Sequence, residues 1–142
     1  MIEEFRGKYE WLSNFYPCEI EYEGIVYPTT EHFYVAVKTT DPHIRKHVST
    51  IETPGKAKRY GHKEIDIRED WDDIKIQVME YVLNKKFNKP HFKELLIETE
   101  DEMIVEGNRW HDNFYGSCIC DKCGNNGENI LGKLLMTIRK KL

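Results

Sequence analysis

The stretch Cys18-Glu19-Ile20-Glu21-Tyr22-Glu23-Gly24-Ile25-Val26-Tyr27-Pro28-Thr29-Thr30-Glu31-His32-Phe33-Tyr34-Val35-Ala36-Val37-Lys38 changes its period halfway. Up to Tyr27 it reads as a hairpin. Ile20 and Tyr22 alternate with Glu19 and Glu21, Glu23-Gly24 makes the turn, and Ile25-Val26-Tyr27 returns. Pro28 has no N–H to give to a ladder and is expected to end the return strand. Thr29 or Thr30 then caps a helix expected to reach about Thr40. A short antiparallel pair that runs straight into a helix is an α+β beginning.

Outward from this stretch the chain supplies helices. Asp41-Pro42 and Thr53-Pro54 each set a capping side chain before a proline at the first helical position. The second of these helices is expected to stop near Gly61. From Asp70 to about Phe87, Trp71, Ile74, Val78 and Val82 recur at helical spacing. Pro90 opens another helix with Phe92, Leu95 and Leu96 apolar, and Met103 to Val105 reads as a short strand. Residues 107–127 form a polar loop rich in Asn and Gly. Leu131, Leu134, Leu135, Ile138 and Leu142 then draw one apolar stripe along a last helix, whose C-terminus carries Arg139, Lys140 and Lys141. The expected fold is α+β, a mainly helical single domain over residues 1–142 with a small antiparallel β-sheet.

Composition narrows the function classes. The 142 residues carry 21 Lys and Arg against 25 Asp and Glu, a net charge of −4, which argues against a basic nucleic-acid coat. With 39% hydrophobic and 32% charged residues, neither a disordered nor a membrane-spanning chain is expected. Residues Met1 to Tyr9 hold no apolar signal-peptide core, and the cytoplasm is the expected compartment. Aromatic residues make up 12%, and they crowd toward the N-terminal quarter as Phe5, Tyr9, Trp11, Phe15, Tyr16, Tyr22, Tyr27, Phe33 and Tyr34.

Four groups of residues can carry chemistry. Glu31 and Lys38 are two helical turns apart, on one face with Tyr34 and Val35 between them; a carboxylate and an amine so placed suit acid–base or covalent work, and equally a cap and a solvated lysine. The loop from Glu106 through Asn108, Arg109, Trp110, His111, Asp112, Phe114 and Tyr115 to Gly116 offers an acid, an amide, an imidazole and three aromatic faces, enough to stack a base and bond a sugar. Cys118, Cys120 and Cys123 are spaced tightly enough for three thiolates to reach one structural zinc, with Cys18, His111 or Asp121 as the fourth ligand, or to remain reduced thiols. Lys56, Lys58, Arg59, His62 and Lys63 form a basic cluster that could meet a phosphate or simply face water.

Several stretches, in this order, resemble the NADAR family of YbiA-like N-glycosidases. They are Phe5 and Gly7; Leu12-Ser13-Asn14-Phe15-Tyr16-Pro17; Thr30-Glu31-His32-Phe33-Tyr34 with Ala36 and Lys38; and Pro54 with Ala57-Lys58 and Gly61. Asp70-Trp71, Lys75 and Met79 follow, then Glu106, Asp112 and Gly116, then Asn129, Leu131-Gly132, Leu135-Met136 and Arg139. Two features depart from the family pattern: Tyr115 stands where the family has a tryptophan, and a cysteine-rich insert occupies about residues 117–127.

The resemblance implies hydrolysis of a bond between ribose C1 and a nitrogen. The implied substrate is ADP-ribose on guanine, including ADP-ribosylated DNA or RNA, or a ribosylaminopyrimidine phosphate of riboflavin synthesis. It implies Glu31 and Asp112 as base and electrostatic partner. Lys38 is the acid or, in a second route, a Schiff-base nucleophile at C1. Phe5, Gly7, Ser13, Asn14, Phe15, Tyr34, Trp71, Glu106, Trp110, Tyr115 and Gly116 are the implied substrate contacts, Tyr115 by stacking in place of the tryptophan. No cofactor is implied for catalysis. Two competing classes are an ADP-ribose or NAD binding module without turnover, and a zinc-knuckle nucleic-acid binder built on the cysteines.

Overall fold

A two-residue reversal in which both residues take positive φ matches the right-handed twist of the strands it joins. In the computed structural model, which describes residues 1–142, Glu23 (φ 49°) and Gly24 (φ 81°) make that reversal. It connects β1 (Pro17–Tyr22) and β2 (Ile25–Thr29), paired antiparallel with Ile20 opposite Tyr27 and Tyr22 opposite Ile25. The return strand does not end at Pro28. It continues to Thr29, opposite Pro17, across a register irregularity between Pro17 and Ile20, and such irregularities are where a strand tolerates proline.

The chain divides into two compact units, Asn14–Lys86 and Met1–Ser13 with Phe87–Leu142. The first unit holds the hairpin, α1 (Thr30–Ala36), α2 (Pro42–Ser49), α3 (Pro54–Lys63) and nearly all of α4 (Trp71–Phe87). The caps follow the sequence reading. The Thr29 hydroxyl accepts from His32 N–H, the Asp41 carboxylate from His43 N–H and the Thr53 hydroxyl from Lys56 N–H. Tyr27, Phe33, Val35, Ala36 and Val48 are fully or almost fully buried, with the Phe33 ring meeting Tyr22 and Tyr27 edge-on at 5.2 and 5.8 Å.

Two helix ends differ from the sequence reading. α1 stops at Ala36 rather than near Thr40, and Lys38 N–H closes a tighter turn onto the Val35 carbonyl. α3 runs through Gly61 to Lys63. Gly61 is there for space: a Cβ on it would sit 2.9 Å from Val35 Cγ1 in the core.

In the second unit, Ile2 and Ile104 form a lone parallel bridge, all that becomes of the strand expected at Met103–Val105. A 3-10 helix, Gly7–Leu12, begins at positive φ (58°), which favours Gly7. Trp11 packs edge-on against Phe87, and Phe87 against Phe92 of α5 (Pro90–Glu98), at 6.2 and 6.1 Å. Two-residue strands β3 (Gly107–Asn108) and β4 (Ser117–Cys118) pair in parallel inside the stretch expected to be loop. α6 (Ile130–Lys140) buries Leu131, Leu135 and Ile138, while Leu134 and Leu142 are half-buried. Its preceding residue, Asn129, is left-handed (φ 52°). Its amide ties the loop instead of capping the helix, accepting from Glu106 N–H at 3.0 Å and donating to the Ile104 carbonyl at 2.9 Å.

Candidate active site

Within the Asn14–Lys86 unit, α1 presents Glu31, Tyr34 and, just past its end, Lys38. Lys38 is 8% exposed, and its Nζ lies 5.8 Å from the centre of the Tyr34 ring. Burial pushes its pKa down; the Glu31 charge pulls it back up, and Lys58 and Lys75 push it further down. The tertiary fold thereby sets Lys58 of α3 and Lys75 of α4 within electrostatic reach of this amine. His62 responds to the same field, its pKa lowered by burial and then by Lys38 and Lys58. Tyr34 meets the buried Trp71 ring edge-on at 5.0 Å, so the first residue of α4 backs the α1 face.

Sequence spacing pointed to Glu31, Tyr34 and Lys38, the family resemblance to Trp71, and the fold brings these four side chains into one region. Spacing did not single out the cations Lys58 and Lys75, with the imidazole of His62, as one group around Lys38. Only the surplus of basic residues in α3 hinted at it. Lys56 is instead exposed and paired with Glu52 at 3.0 Å, and Arg59 and Lys63 are exposed.

Asn14 serves the frame of this site. Its carbonyl accepts from Glu31 N–H (3.1 Å) and from the Thr30 hydroxyl (3.0 Å), its Oδ1 accepts from that same hydroxyl (2.9 Å), and its Nδ2 reaches the Met79 sulfur (3.5 Å). Phe15 is exposed, in the vicinity of Gly55 at the start of α3. His32 lies under α1: its ring nitrogens meet Thr29 Oγ1 (2.8 Å) and the Ile51 carbonyl (2.9 Å), and burial holds its pKa down, so it is a neutral structural imidazole. On the Phe33 and Val37 side of α1, a groove of about 330 Å³ lined by Tyr22, Arg45, Arg68 and Tyr81 contains none of the candidate residues.

The remaining candidates lie in the other unit. Phe5 is half-buried, Gly7 exposed, and Ser13 closes the 3-10 helix by donating its N–H to the Glu10 carbonyl. Trp11, one of the aromatic residues crowded toward the N-terminus, is core at 7% exposure, with its indole N–H on the Lys8 carbonyl. Glu106, Asp112 and Gly116 converge around the buried side chain of Asn108, which the sequence reading named as the loop's amide without giving it this central place. Asn108 Oδ1 accepts from Trp110 N–H and Asp112 N–H, and Nδ2 donates to the Asp112 carbonyl (2.8 Å) and to Glu106 Oε2 (3.2 Å). Asp112 Oδ1 in turn accepts from the backbone N–H of Phe114 and Tyr115, both at 3.0 Å. Gly116 leaves no room for a side chain, since a Cβ would fall 1.8 Å from Glu106 Oε2. Trp110 is half exposed and Tyr115 half-buried, with Phe114 edge-on to Tyr115 at 4.8 Å. Beyond this loop, His111, Cys118, Cys120 and Cys123 bring four donor atoms together, while Cys18 lies buried on β1 and Asp121 is exposed.

Comparison with known proteins decides the family, because the NADAR domain model matches residues 3–142. The chain belongs to the NADAR family. Among its NADAR relatives, an N-glycosidase of Nostoc punctiforme is 36% identical over 141 residues, covering 94% of this chain and 86% of the relative. The N-glycosidase YbiA of Escherichia coli is 32% identical over 133 residues, covering 92% and 80%. A riboflavin biosynthesis protein of Vibrio vulnificus is 33% identical over 135 residues; the match covers 93% of this chain but 35% of that longer protein. The solved structure of Escherichia coli YbiA matches with a TM-score of 0.80 at 29% identity, over 99% of this chain and 86% of that one. The α+β architecture with its small antiparallel sheet is thus shared with YbiA. No helix is long and apolar enough to cross a membrane.

Proposed function

We propose that this NADAR chain hydrolyses the C1–N bond of a phosphorylated N-riboside, with Lys38 and Glu31 carrying the reaction. The observation that carries the reading is Lys38 itself. It is an amine buried to 8% exposure, with its pKa lowered by that burial and a carboxylate in electrostatic reach. Family relatives named N-glycosidases support the same chemistry.

A lysine with a lowered pKa holds more of its amine in the neutral, nucleophilic form at neutral pH. In the proposed sequence the lone pair of the leaving nitrogen expels the ring oxygen, which takes a proton from Glu31, and the opened ribose carries an iminium between C1 and that nitrogen. Neutral Lys38 Nζ adds to C1, the Glu31 carboxylate takes a proton from Nζ and passes it to the leaving nitrogen, and the C1–N bond breaks as the Lys38–C1 protonated imine forms. Water then hydrolyses the Lys38–C1 imine, releasing the free sugar and the amine. Lys58 and Lys75 supply the positive field for a phosphate on the sugar, His62 with its lowered pKa offers a neutral imidazole, and Trp71 and Tyr34 supply ring surface. Asp112 remains a candidate electrostatic partner through the family resemblance, with one oxygen already committed to its own loop.

Two substrates fit this class. ADP-ribose on guanine, within DNA or RNA, is the first. The second, a ribosylaminopyrimidine phosphate, is favoured by relatives named riboflavin biosynthesis proteins. The experiment offers both in parallel, with sodium borohydride present in half the reactions. The expected result is release of free sugar phosphate or ADP-ribose from one of them, and a borohydride-trapped adduct that Lys38→Ala abolishes. Turnover with no trapped adduct refutes the lysine route and leaves water attack assisted by Glu31. Failure on both substrates, with ligand binding unchanged in Glu31→Ala, refutes hydrolysis in favour of a binding module.

A further inference from the structure

The cysteine-rich insert has a geometry that the proposed reaction does not use. His111 Nδ1 lies 3.4 Å from Cys123 Sγ, 3.6 Å from Cys118 Sγ and 3.7 Å from Cys120 Sγ. The Cys118 and Cys120 sulfurs are 3.3 Å apart, and all four donor atoms lie within 4.8 Å of one another. A tetrahedral zinc with ordinary Zn–S and Zn–N bonds sets sulfur pairs about 3.8 Å apart and sulfur–nitrogen pairs about 3.5 Å apart. The three nitrogen–sulfur distances match that cage. The sulfur pair is far outside a disulfide, which needs about 2.05 Å, and the cysteines are unbridged.

The backbone is shaped to the same end. Cys120-Asp121-Lys122-Cys123-Gly124 forms a knuckle in which Cys123 N–H points at Cys120 Sγ (3.4 Å) and Gly124 N–H at the Cys120 carbonyl (2.9 Å). Gly124 takes the positive φ (67°) that this reversal needs. His111 is left-handed too, at φ 66°, a conformation that costs an L-residue about 1–2 kcal/mol. Ring nitrogen and three sulfurs meet from two chain segments that flank the turn bearing Asp112, Asn113, Phe114 and Tyr115. Asn113 Oδ1 also accepts from Cys118 N–H at 2.9 Å, so the two segments are already tied at their base.

We propose that His111, Cys118, Cys120 and Cys123 bind one structural zinc ion that locks the 108–118 loop. Three thiolates with one imidazole in a tetrahedron suit zinc and disfavour the oxygen-seeking Mg²⁺ and Ca²⁺. On binding, three thiol protons leave to solvent and the neutral imidazole offers its Nδ1 lone pair, so the centre carries one net negative charge. All four positions are filled by the chain. The ion has no place for an activated water and takes no part in the hydrolysis. Its role is to close the loop around Asp112 with a bond set that the loop's polar residues alone do not supply.

The test needs no substrate, so its outcome is independent of the proposed hydrolysis. The chain is purified under reducing conditions from zinc-supplemented cells, without chelator, and its metal content is measured. One zinc per chain is expected. After removal of the zinc, Co²⁺ should give tetrahedral d–d absorption with a thiolate charge-transfer band. Cys123→Ser and His111→Ala should each weaken zinc binding by more than about 100-fold, because loss of even a supporting hydrogen-bond partner costs about 10–100-fold. Cys18→Ser should keep the full zinc content. Trypsin should cut after Arg109 or Lys122 in the chelated chain and spare both in the zinc-loaded chain. Fewer than one zinc per ten chains after reconstitution overturns the proposal, as does a Co²⁺ spectrum without thiolate bands. Both of these readouts use the unsubstituted chain and stand even if the variants misfold.

Discussion

Asn108 is the single side chain on which the 106–116 loop turns, and replacing it gives two distinguishable outcomes. It is 2% exposed and makes four short hydrogen bonds, two accepted at Oδ1 and two donated from Nδ2, with a longer fifth (3.4 Å) to the Glu106 carbonyl. At about 0.5–1.5 kcal/mol each, more for the bond to a carboxylate, the four total about 3–5 kcal/mol. Glu106 and Asp112 are half-buried and regain water when the amide is removed, so Asn108→Ala should cost about 2–4 kcal/mol.

Asn108→Asp tests the sign of the same site. The oxygen that replaces Nδ2 would sit 3.2 Å from Glu106 Oε2, where two carboxylates cannot both ionise, so one folded-state pKa rises. A carboxyl with a raised folded pKa keeps a proton that the unfolded chain has released. Its penalty therefore grows as pH climbs from about 4 through the folded pKa and shrinks as pH falls. Urea unfolding at about pH 5 and about pH 7, with the m-value checked for constancy, reads both effects. The Ala variant should lose the same stability at both pH values, and the Asp variant more at pH 7. An Ala variant within about 0.5 kcal/mol of the parent refutes the keystone role, and a pH-independent Asp variant refutes the contact with Glu106.

Three further outcomes follow from burial and packing. Gly132→Ala improves helix propensity by about 1 kcal/mol but puts a Cβ 2.2 Å from the Ile104 carbonyl and 2.5 Å from the Asn129 amide; a net loss of more than about 2 kcal/mol in a urea melt is expected. Tyr27 has a buried hydroxyl with no hydrogen-bond partner and a pKa pushed up to about 12 by burial, so Tyr27→Phe should leave the melting temperature unchanged or raised, whereas a clear drop would mean the hydroxyl is bonded. Lys86 is fully buried, and burial lowers its pKa to about 8 from an ordinary 10.5. The folded form gives up this proton first, so the cost is complete below about pH 8 and is relieved as pH rises toward 10.5. Stability should climb by up to about 3 kcal/mol over that window in the parent relative to Lys86→Met, and parallel pH curves would contradict it.

Local signals carried most of the architecture. The β1–β2 hairpin, the caps at Thr29, Asp41 and Thr53, the prolines that open α2, α3 and α5, and the apolar stripe of α6 depend on residues close in sequence. Neighbouring side chains and backbone geometry are enough to specify them. The Glu31, Tyr34, Lys38 spacing likewise puts a carboxylate, a ring and an amine on one side of α1 and the turn that follows it. Where that reading slipped, a distant partner decided the outcome. α1 ends early, and Gly61 serves α3 as a space for Val35 rather than as a stop.

What the sequence by itself determined is the set of elements and the candidate Glu31–Lys38 pair. What only the tertiary structure decided is the environment of those groups. Burial of Lys38, the approach of Lys58, His62 and Lys75, and the backing of Tyr34 by Trp71 join segments from α1 to α4. The same holds for Asn108 at the hub of its loop and for His111 among the three cysteines. A pKa and a coordination cage depend on distances and on solvent exclusion. Neither quantity exists until the chain has folded back on itself.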